Sequence, residues 1–283
     1  ELDALPAPTS GWWGTGRYMV ASGKLPGSNG DSIVLASTPT RILNDNGIVE
    51  IETTPTLQQP QRVEIWDLNN DGINEIFFLM ENSIEVLSHD GTNFVQGCSI
   101  TFSPDSFTTM DVRDMDNDGQ KDIIYCSTSC LIVYGPTPVD GASSPNAISE
   151  WETSPRSGYI EVRPAFGSTT LDMKTADLNG DGFADIVMSD TSDTGETRVV
   201  LYATKTAAEA RDYAGISSTD ITLSQEVELR TEMMHVLDVN NDGSPDLLYA
   251  TTPTGQAQII LSIPTNQIAE LGVLAPKIID HLI

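Results

Sequence analysis

The sequence predicts an all-β chain of repeated four-stranded units, on three observations. One gapless pattern recurs four times: DLNNDGINEIFF from Asp67, DMDNDGQKDIIY from Asp114, DLNGDGFADIVM from Asp177 and DVNNDGSPDLLY from Asp238. The runs on either side of each copy are β-branched, aromatic and alternating, with Gly, Asn and Asp between them, which is how strands and hairpins are written. Helical spacing is almost absent; KTAAEARDYAG, residues 205–215, reads as the one short helix. A four-stranded sheet of this size cannot bury both faces alone, and radial stacking around an axis solves that, so the predicted architecture is a β-propeller. A linear β-solenoid ranks below it, because solenoid turns are shorter and more uniform.

Each unit reads in the same order. A first strand precedes the acidic loop (RVEIW, MMHVL), and a second follows it (EIFFLM, DIIYC, DIVMS, DLLYA). A third comes next (SIEVLS, LIVYG, RVVLYA, QIILSI), and then a less regular fourth (NFVQGCSITF, YIEVRPAF, DITLSQEVEL). NDNG and SHDG between third and fourth strands read as tight hairpin turns. A degraded copy, GRYMVASGKLPGSNGDSIVLAS, precedes the four intact ones; Gly23, Leu25 and Gly27 fall near where its ligands would be. The prediction is therefore a single domain over 1–283 with five repeats, 11–60, 61–107, 108–168, 169–230 and 231–283, four carrying an intact loop.

The loops carry the chemistry. Oxygen-bearing side chains fall at loop positions 1, 3, 5 and 9. They are Asp67, Asn69, Asp71 and Glu75; Asp114, Asp116, Asp118 and Asp122; Asp177, Asn179, Asp181 and Asp185; and Asp238, Asn240, Asp242 and Asp246. Position 6 is always Gly, which supplies the sharp bend a chain needs to wrap one ion. Position 7 would offer a backbone carbonyl whatever its side chain, hence the variety of Ile73, Gln120, Phe183 and Ser244. Ca²⁺ takes six to eight hard oxygen ligands, Mg²⁺ demands a stricter octahedron, and Zn²⁺ or Cu²⁺ would call for His or Cys. The expected cofactor is Ca²⁺, about four ions. An EF-hand is rejected: it needs Glu at position 12, where Phe78, Tyr125, Met188 and Tyr249 stand, and helical flanks. The competing view is four plain Asn-Asp-Gly turns. Turns need only that pair, whereas acids at positions 1 and 9 as well would repel one another without a cation.

These loops closely resemble the FG-GAP (VCBS-type) repeat of integrin α-chain propellers and related secreted proteins, whose pattern is D-x-[DN]-x-D-G-x-x-[DE] before an apolar strand. All four copies match it, although TTPTG and STSC stand where Gly-Ala-Pro would be. The resemblance implies a structural calcium in the hairpin between the first and second strands of each blade. Propellers of that family often have seven blades; five fit here, so the ring is either five-bladed or completed by a partner.

Three residues before each loop stand Glu64, Asp111, Lys174 and His235, flanked by mostly apolar residues. Alternation puts the four on one side of the first strands. They are expected near the propeller axis, as a solvated channel lining with partial charge pairing or, less in keeping with the pattern, as a ligand or catalytic site. Cys126 and Cys130 flank a short turn, and either bridge a hairpin or stay as thiols; with Cys98 the cysteines number three. Trp66 reads as packing and Trp151 as part of a long connection, while Trp12 and Trp13 could stack on a sugar or pack the first blade.

The net charge of −27, from 41 acidic and 14 basic residues, excludes nucleic acid as a partner and disfavours anionic membranes. No apolar run is long enough to span a bilayer. The chain starts ELDALPAP without an initiator Met, which reads as a trimmed, secreted or cell-surface chain. No nucleophile elbow, phosphate loop or catalytic His spacing is present around His89, His235 or His281, so no catalytic residue is assigned and the protein is not expected to be an enzyme. The expected role is a non-catalytic adhesion, interaction or structural assembly module, with protein partners or self-assembly. A glycan-binding lectin is the second reading, and an enzyme acting on polysaccharide or phosphoester the third.

Overall fold

The computed structural model describes residues 20–36, 40–51, 60–102, 109–126, 130–136, 147–152, 158–160, 170–177, 182, 184–191, 197–202, 234–239, 241, 243–251 and 256–260. The helix expected at 205–215, the strand DITLSQEVEL, Trp12, Trp13 and His281 lie outside these, as do loop residues Asn179, Asp181, Phe183, Asn240 and Asp242.

Within the described residues the chain forms five antiparallel sheets. The first is β1 (Val20–Lys24), β2 (Asp31–Leu35), β3 (Thr40–Asn44) and β4 (Gly47–Ile51). The second is β5 (Arg62–Trp66), β6 (Glu75–Leu79), β7 (Ser83–His89) and β8 (Phe94–Thr101). The third is β9 (Thr109–Arg113), β10 (Asp122–Cys126), β11 (Cys130–Val133) and β12 (Gly158–Ile160). A fourth contains β13 (Thr170–Ala176), β14 (Asp185–Thr191) and β15 (Thr197–Tyr202), and a fifth β16 (Met234–Leu237), β17 (Asp246–Thr251) and β18 (Gln256–Ile260). Strands pair in sequence order in every sheet, which is the up-and-down meander a propeller blade requires. Within the described residues the first, second and third strand runs read from sequence stand, as does the fourth run NFVQGCSITF; of YIEVRPAF only Tyr159 and Ile160 are described.

Period-two alternation explains how the sheets stack. All of β6 is buried, because it has a neighbour on each face. Ile76 and Phe78 point one way, into a core with Val34 and Ile42 of the first sheet. Phe77 and Leu79 point the other way, into a core with Met110, Ile123 and Tyr125 of the third. The third sheet repeats the device: Ile123 and Tyr125 face the second sheet, while Ile124 and Cys126 face Met173 and Ile186 of the fourth. Each such side chain contributes about 1.5–3 kcal/mol by burial, so the seams between sheets are the core of the molecule. On the first sheet's opposite side, Ile33 and Ile48 are exposed.

Several details bear on the sequence reading. The turn at Asp45 and Asn46 is tight. The SHDG turn is wider: Asp90 to Asn93 form the loop, closed by Asp90 N–H donating to the Asn93 carbonyl at 3.0 Å. His89 ends β7 and packs edge-on against Phe94 at 5.1 Å. Trp66 packs as expected, edge-on to Phe77 with ring centroids 5.1 Å apart. Trp151 is in the long connection, between β11 and β12, as expected. It lies in a 3₁₀ turn, Ile148–Trp151, buried in the seam between second and third sheets. Cys126 is disulfide-bonded and Cys98 is a free buried thiol. Cys130 is the backbone partner of Cys126 in the β10–β11 register.

Candidate cation loops and the inner polar cluster

Each acidic loop joins the first strand of a sheet to the second. Its shape follows from three backbone-directed carboxylates. The position 1 Asp caps the bend: Asp67 accepts the N–H groups of Asp71 at 3.1 Å and Gly72 at 3.0 Å. Asp114 does the same for Asp118 at 3.1 Å and Gly119 at 2.8 Å. Asp177 and Asp238 accept from Gly182 and Gly243, both at 2.8 Å. The position 5 Asp accepts from position 7, as Asp71 does from Ile73 at 2.7 Å and Asp118 from Gln120 at 2.9 Å. The position 9 acid reaches back to the N–H of position 2. Glu75 accepts from Leu68 at 2.8 Å, Asp122 from Met115 at 2.7 Å, and Asp246 from Val239 at 2.9 Å. The position 6 glycines have φ between +83° and +91°, where a Cβ would be strained.

Sequence reasoning missed a constraint at position 4. Asn70, Asn117 and Asn241 are the non-glycine residues of positive φ among those described, at 57–59°. Asn tolerates this left-handed region better than other side chains. The signal was available: position 4 is Asn, Asn, Gly and Asn in the four copies.

In loop 114–122 the carboxylates converge. Asp114, Asp116 and Asp122 each offer an oxygen, all within 4.8 Å of one another. Asp116 and Asp122 are buried. Burial, and then the neighbouring charges of Asp116 and Asp114, pushes the Asp122 carboxyl up to about 8 despite two N–H donors. Burial raises Glu75 to about 8 likewise, with Asp71 and Asp67 adding to the shift and Lys121 opposing it. Hard oxygen donors, packed so closely that their own charges resist ionisation, fit a hard divalent cation and no soft metal. The side chains of loops 177–185 and 238–246 are only partly within the described residues, and Asp185 and Asp246 are buried there.

Two further groups fix loop 114–122. Gly135, just beyond β11, donates its N–H to Asp122 Oδ1 at 2.7 Å. A Cβ on Gly135 would meet Gln120 Cβ and the Lys121 carbonyl, each at 2.8 Å, so a side chain there would push the loop away. Trp151 Nε1 donates to the Lys121 carbonyl at 2.9 Å. Neighbouring loops also touch: Asn74 donates to the Lys24 carbonyl at 2.7 Å, and Asn70 to the Gly119 carbonyl at 3.2 Å. Lys121 Nζ donates to the Asp67 carbonyl.

The first strands of successive sheets approach one another: β1 meets β5, β9 meets β13, and β13 meets β16. Of the four residues expected on this inner side, three come together. Lys174 Nζ lies 4.0 Å from Glu64. Asp111 is buried and accepts the Thr175 N–H at 2.7 Å and its hydroxyl at 2.9 Å. Burial raises its pKa, against the pull of Lys174 and the Thr175 hydrogen bonds. His235 is exposed. The strongest pairing uses residues the sequence reading passed over. Arg62 bonds Glu64 and Asp172, both at 2.8 Å, and the Thr109 hydroxyl at 2.9 Å. Burial opposes the guanidinium charge, but Asp172 and Glu64 outweigh it and raise its pKa. Arg62, Thr109 and Asp172 all sit five residues before a loop, so the same alternation places them on the same side. The cluster ties three sheets together by mutually paired charges.

Residues 67–125, two consecutive acidic loops and the strands between them, match the family model described as an FG-GAP-like repeat. No curated protein matches the chain in sequence. Among solved structures it is similar to Sqt1 of Saccharomyces cerevisiae, with a TM-score of 0.54 and 9% identity over 93% of this chain and 63% of that one. It is also similar to an Agrocybe aegerita lectin that recognises non-reducing terminal N-acetylglucosamine, with a TM-score of 0.50 and 14% identity over 92% of this chain and 64% of that one. The chain thus spans just under two thirds of each. At these identities the likeness concerns the fold alone. Among the described residues no helix is long and apolar enough to cross a membrane. Residues 67–125 thus match an FG-GAP-like repeat, within a chain whose described residues are nearly all β and whose fold is of β-propeller type.

Proposed function

We propose that the protein is an extracellular, non-catalytic β-propeller module, one domain over 1–283, that calcium stabilises and that serves protein or glycan partners. The observation that carries the reading is the convergence of Asp114, Asp116 and Asp122 in a hairpin whose pattern recurs four times. The side chains at positions 1, 3, 5 and 9 and the carbonyl at position 7 would hold the ion: Asp67, Asn69, Asp71, Ile73 and Glu75 in one loop, Asp114, Asp116, Asp118, Gln120 and Asp122 in the next. The other two would use Asp177, Asn179, Asp181, Phe183 and Asp185, and Asp238, Asn240, Asp242, Ser244 and Asp246. When bound, Ca²⁺ supplies positive charge that offsets the gathered carboxylates and pins the hairpin. Free calcium is abundant outside cells, which suits the secreted or cell-surface placement. The inner cluster supports a structural role for the axis, since its acids and bases bond one another. The lectin among the structural neighbours is a reason to include terminal N-acetylglucosamine in a partner screen.

Calcium is tested by native mass spectrometry and thermal melting of the chelator-treated chain with and without Ca²⁺. The expected result is uptake of about four ions and a melting temperature lowered by chelation, with Asp118→Ala losing one ion. No uptake and no change in melting would overturn the reading.

A further inference from the structure

Loops 67–75 and 114–122 each close the hairpin between the first and second strands of a different sheet. Here they are in direct contact, in both directions. Asn70, at position 4 of the first, donates to the Gly119 carbonyl of the second at 3.2 Å. Lys121, at position 8 of the second, donates from Nζ to the Asp67 carbonyl of the first. Lys121 stands between Gln120 and Asp122, positions 7 and 9 of its own loop. Its main chain is held by Trp151 Nε1 at 2.9 Å and packed against Gly135. The ammonium group is therefore delivered to the neighbouring loop by a backbone that belongs to the ligand run of its own.

We propose that Lys121 makes loop 67–75 the weaker of the two cation sites and couples their occupancy negatively. The inference rests on the calcium reading above. Loop 67–75 brings three carboxylates, Asp67, Asp71 and Glu75, and a fixed positive charge from Lys121 set against its first residue. Loop 114–122 brings four carboxylates, three of them converged within 4.8 Å. A divalent ion entering loop 67–75 meets a cation already in place, and with water-like screening over roughly 6–12 Å that repulsion corresponds to about three- to tenfold in affinity. The coupling follows from the chain path. An ion held by the Gln120 carbonyl and the Asp122 carboxylate fixes the backbone on both sides of Lys121, and so holds the ammonium group against Asp67. Filling one loop thus disfavours filling the other, and the effect is reciprocal.

The position 8 residue sets which seams carry this contact. Asn74 makes the equivalent reach to the Lys24 carbonyl of the preceding sheet at 2.7 Å but brings no charge. Ala184 and Pro245, at position 8 of the last two loops, have no side-chain donor at all. The charged version belongs to the seam between the second and third sheets.

The test is a calorimetric titration of the full chain, stripped by chelator, with Ca²⁺ alone. Lys121→Met removes both charge and hydrogen bond; Lys121→Gln keeps a donor and removes the charge. Both are expected to raise the affinity of loop 67–75 by about three- to tenfold, with the gain gone when Asp71→Ala is added. In the wild type, raising the ionic strength from low to high is expected to narrow the affinity gap between the loops, because screening weakens the Lys121 charge. An unchanged or weakened loop 67–75 in Lys121→Gln overturns the Lys121 role while calcium binding stands. If the wild type and the Asp71→Ala and Asp118→Ala variants all take up no Ca²⁺, the calcium reading itself falls, and this inference with it.

Discussion

Loops 67–75 and 114–122 share one pattern and one family match, yet they are built differently. Loop 114–122 has Asp at positions 1, 3, 5 and 9, and its position 9 carboxylate is held by two main-chain donors, Met115 and Gly135. Loop 67–75 has Asn at position 3 and the longer Glu at position 9, which is held through Leu68. Its charge is offset from outside by Lys121. Among the described residues only the former gathers three acidic ligand atoms within 4.8 Å. The pattern therefore fixes the bend of the hairpin, while position 3, position 9 and the neighbouring sheet decide how tightly the acids are drawn together.

The sharpest way to break this comparison is to delete each position 9 acid. Asp122→Ala strands two buried N–H groups and Glu75→Ala one, and each unsatisfied donor costs about 1–3 kcal/mol. Denaturant unfolding in chelator near pH 6, where both carboxyls hold their protons, is expected to show a loss of about 4 kcal/mol for Asp122→Ala and about 2 for Glu75→Ala. Equal losses would mean that the two loops are anchored alike.

A second, smaller effect concerns pH. Both carboxyls are raised to about 8, by burial first and then by neighbouring acids. The folded chain therefore keeps protons that the unfolded chain releases at ordinary carboxyl pKa values. That contribution to stability is full below about pH 4 and is lost as the pH climbs through about 8. In chelator the melting temperature is expected to fall between pH 5 and pH 8, and added Ca²⁺ should raise it far more at pH 8 than at pH 5. A melting temperature equally responsive to Ca²⁺ at both would separate the raised pKa values from cation binding.

The smallest effect isolates the bend common to both loops. Asn70→Ala and Asn117→Ala place an ordinary residue at a φ near +58° and are expected to cost about 1 kcal/mol each. The Gly variants at the same sites should cost less. A harmless Ala in one loop alone, by thermal melting, would show that its bend relaxes.

Much of this was legible in the sequence, and the boundary is physical. Strands such as EIFFL and DIIYC declare themselves because a stacked sheet needs apolar residues on both faces, and alternation then assigns Phe77 and Phe78 to opposite seams. The loops declare themselves because a sharply bent hairpin with inward-turned acids needs Asp, Gly and Asp or Glu at fixed spacing. Contacts across seams leave no such periodic trace. Lys121 and Asp67 are 54 residues apart, and nothing local to either announces the other; Arg62 and Asp172, 110 apart, share a place five residues before a loop, which puts them on one side but does not pair them. Trp151 was hidden for the same reason: its partner is a carbonyl in another element. The Asn at position 4 is a different kind of miss, since its backbone requirement was visible in the four-way comparison but looks like any polar loop residue in a single copy.

The placement of the tryptophans gives the two loops an optical readout of their own. Trp66 is the residue immediately before Asp67, stacked edge-on to Phe77, and Trp151 hydrogen-bonds the carbonyl one residue before Asp122. Any shift of either hairpin moves an indole relative to its surroundings, so ion entry should be followed as a change in emission without a label. Replacing Trp66 or Trp151 by Phe in turn would assign the signal to one hairpin at a time.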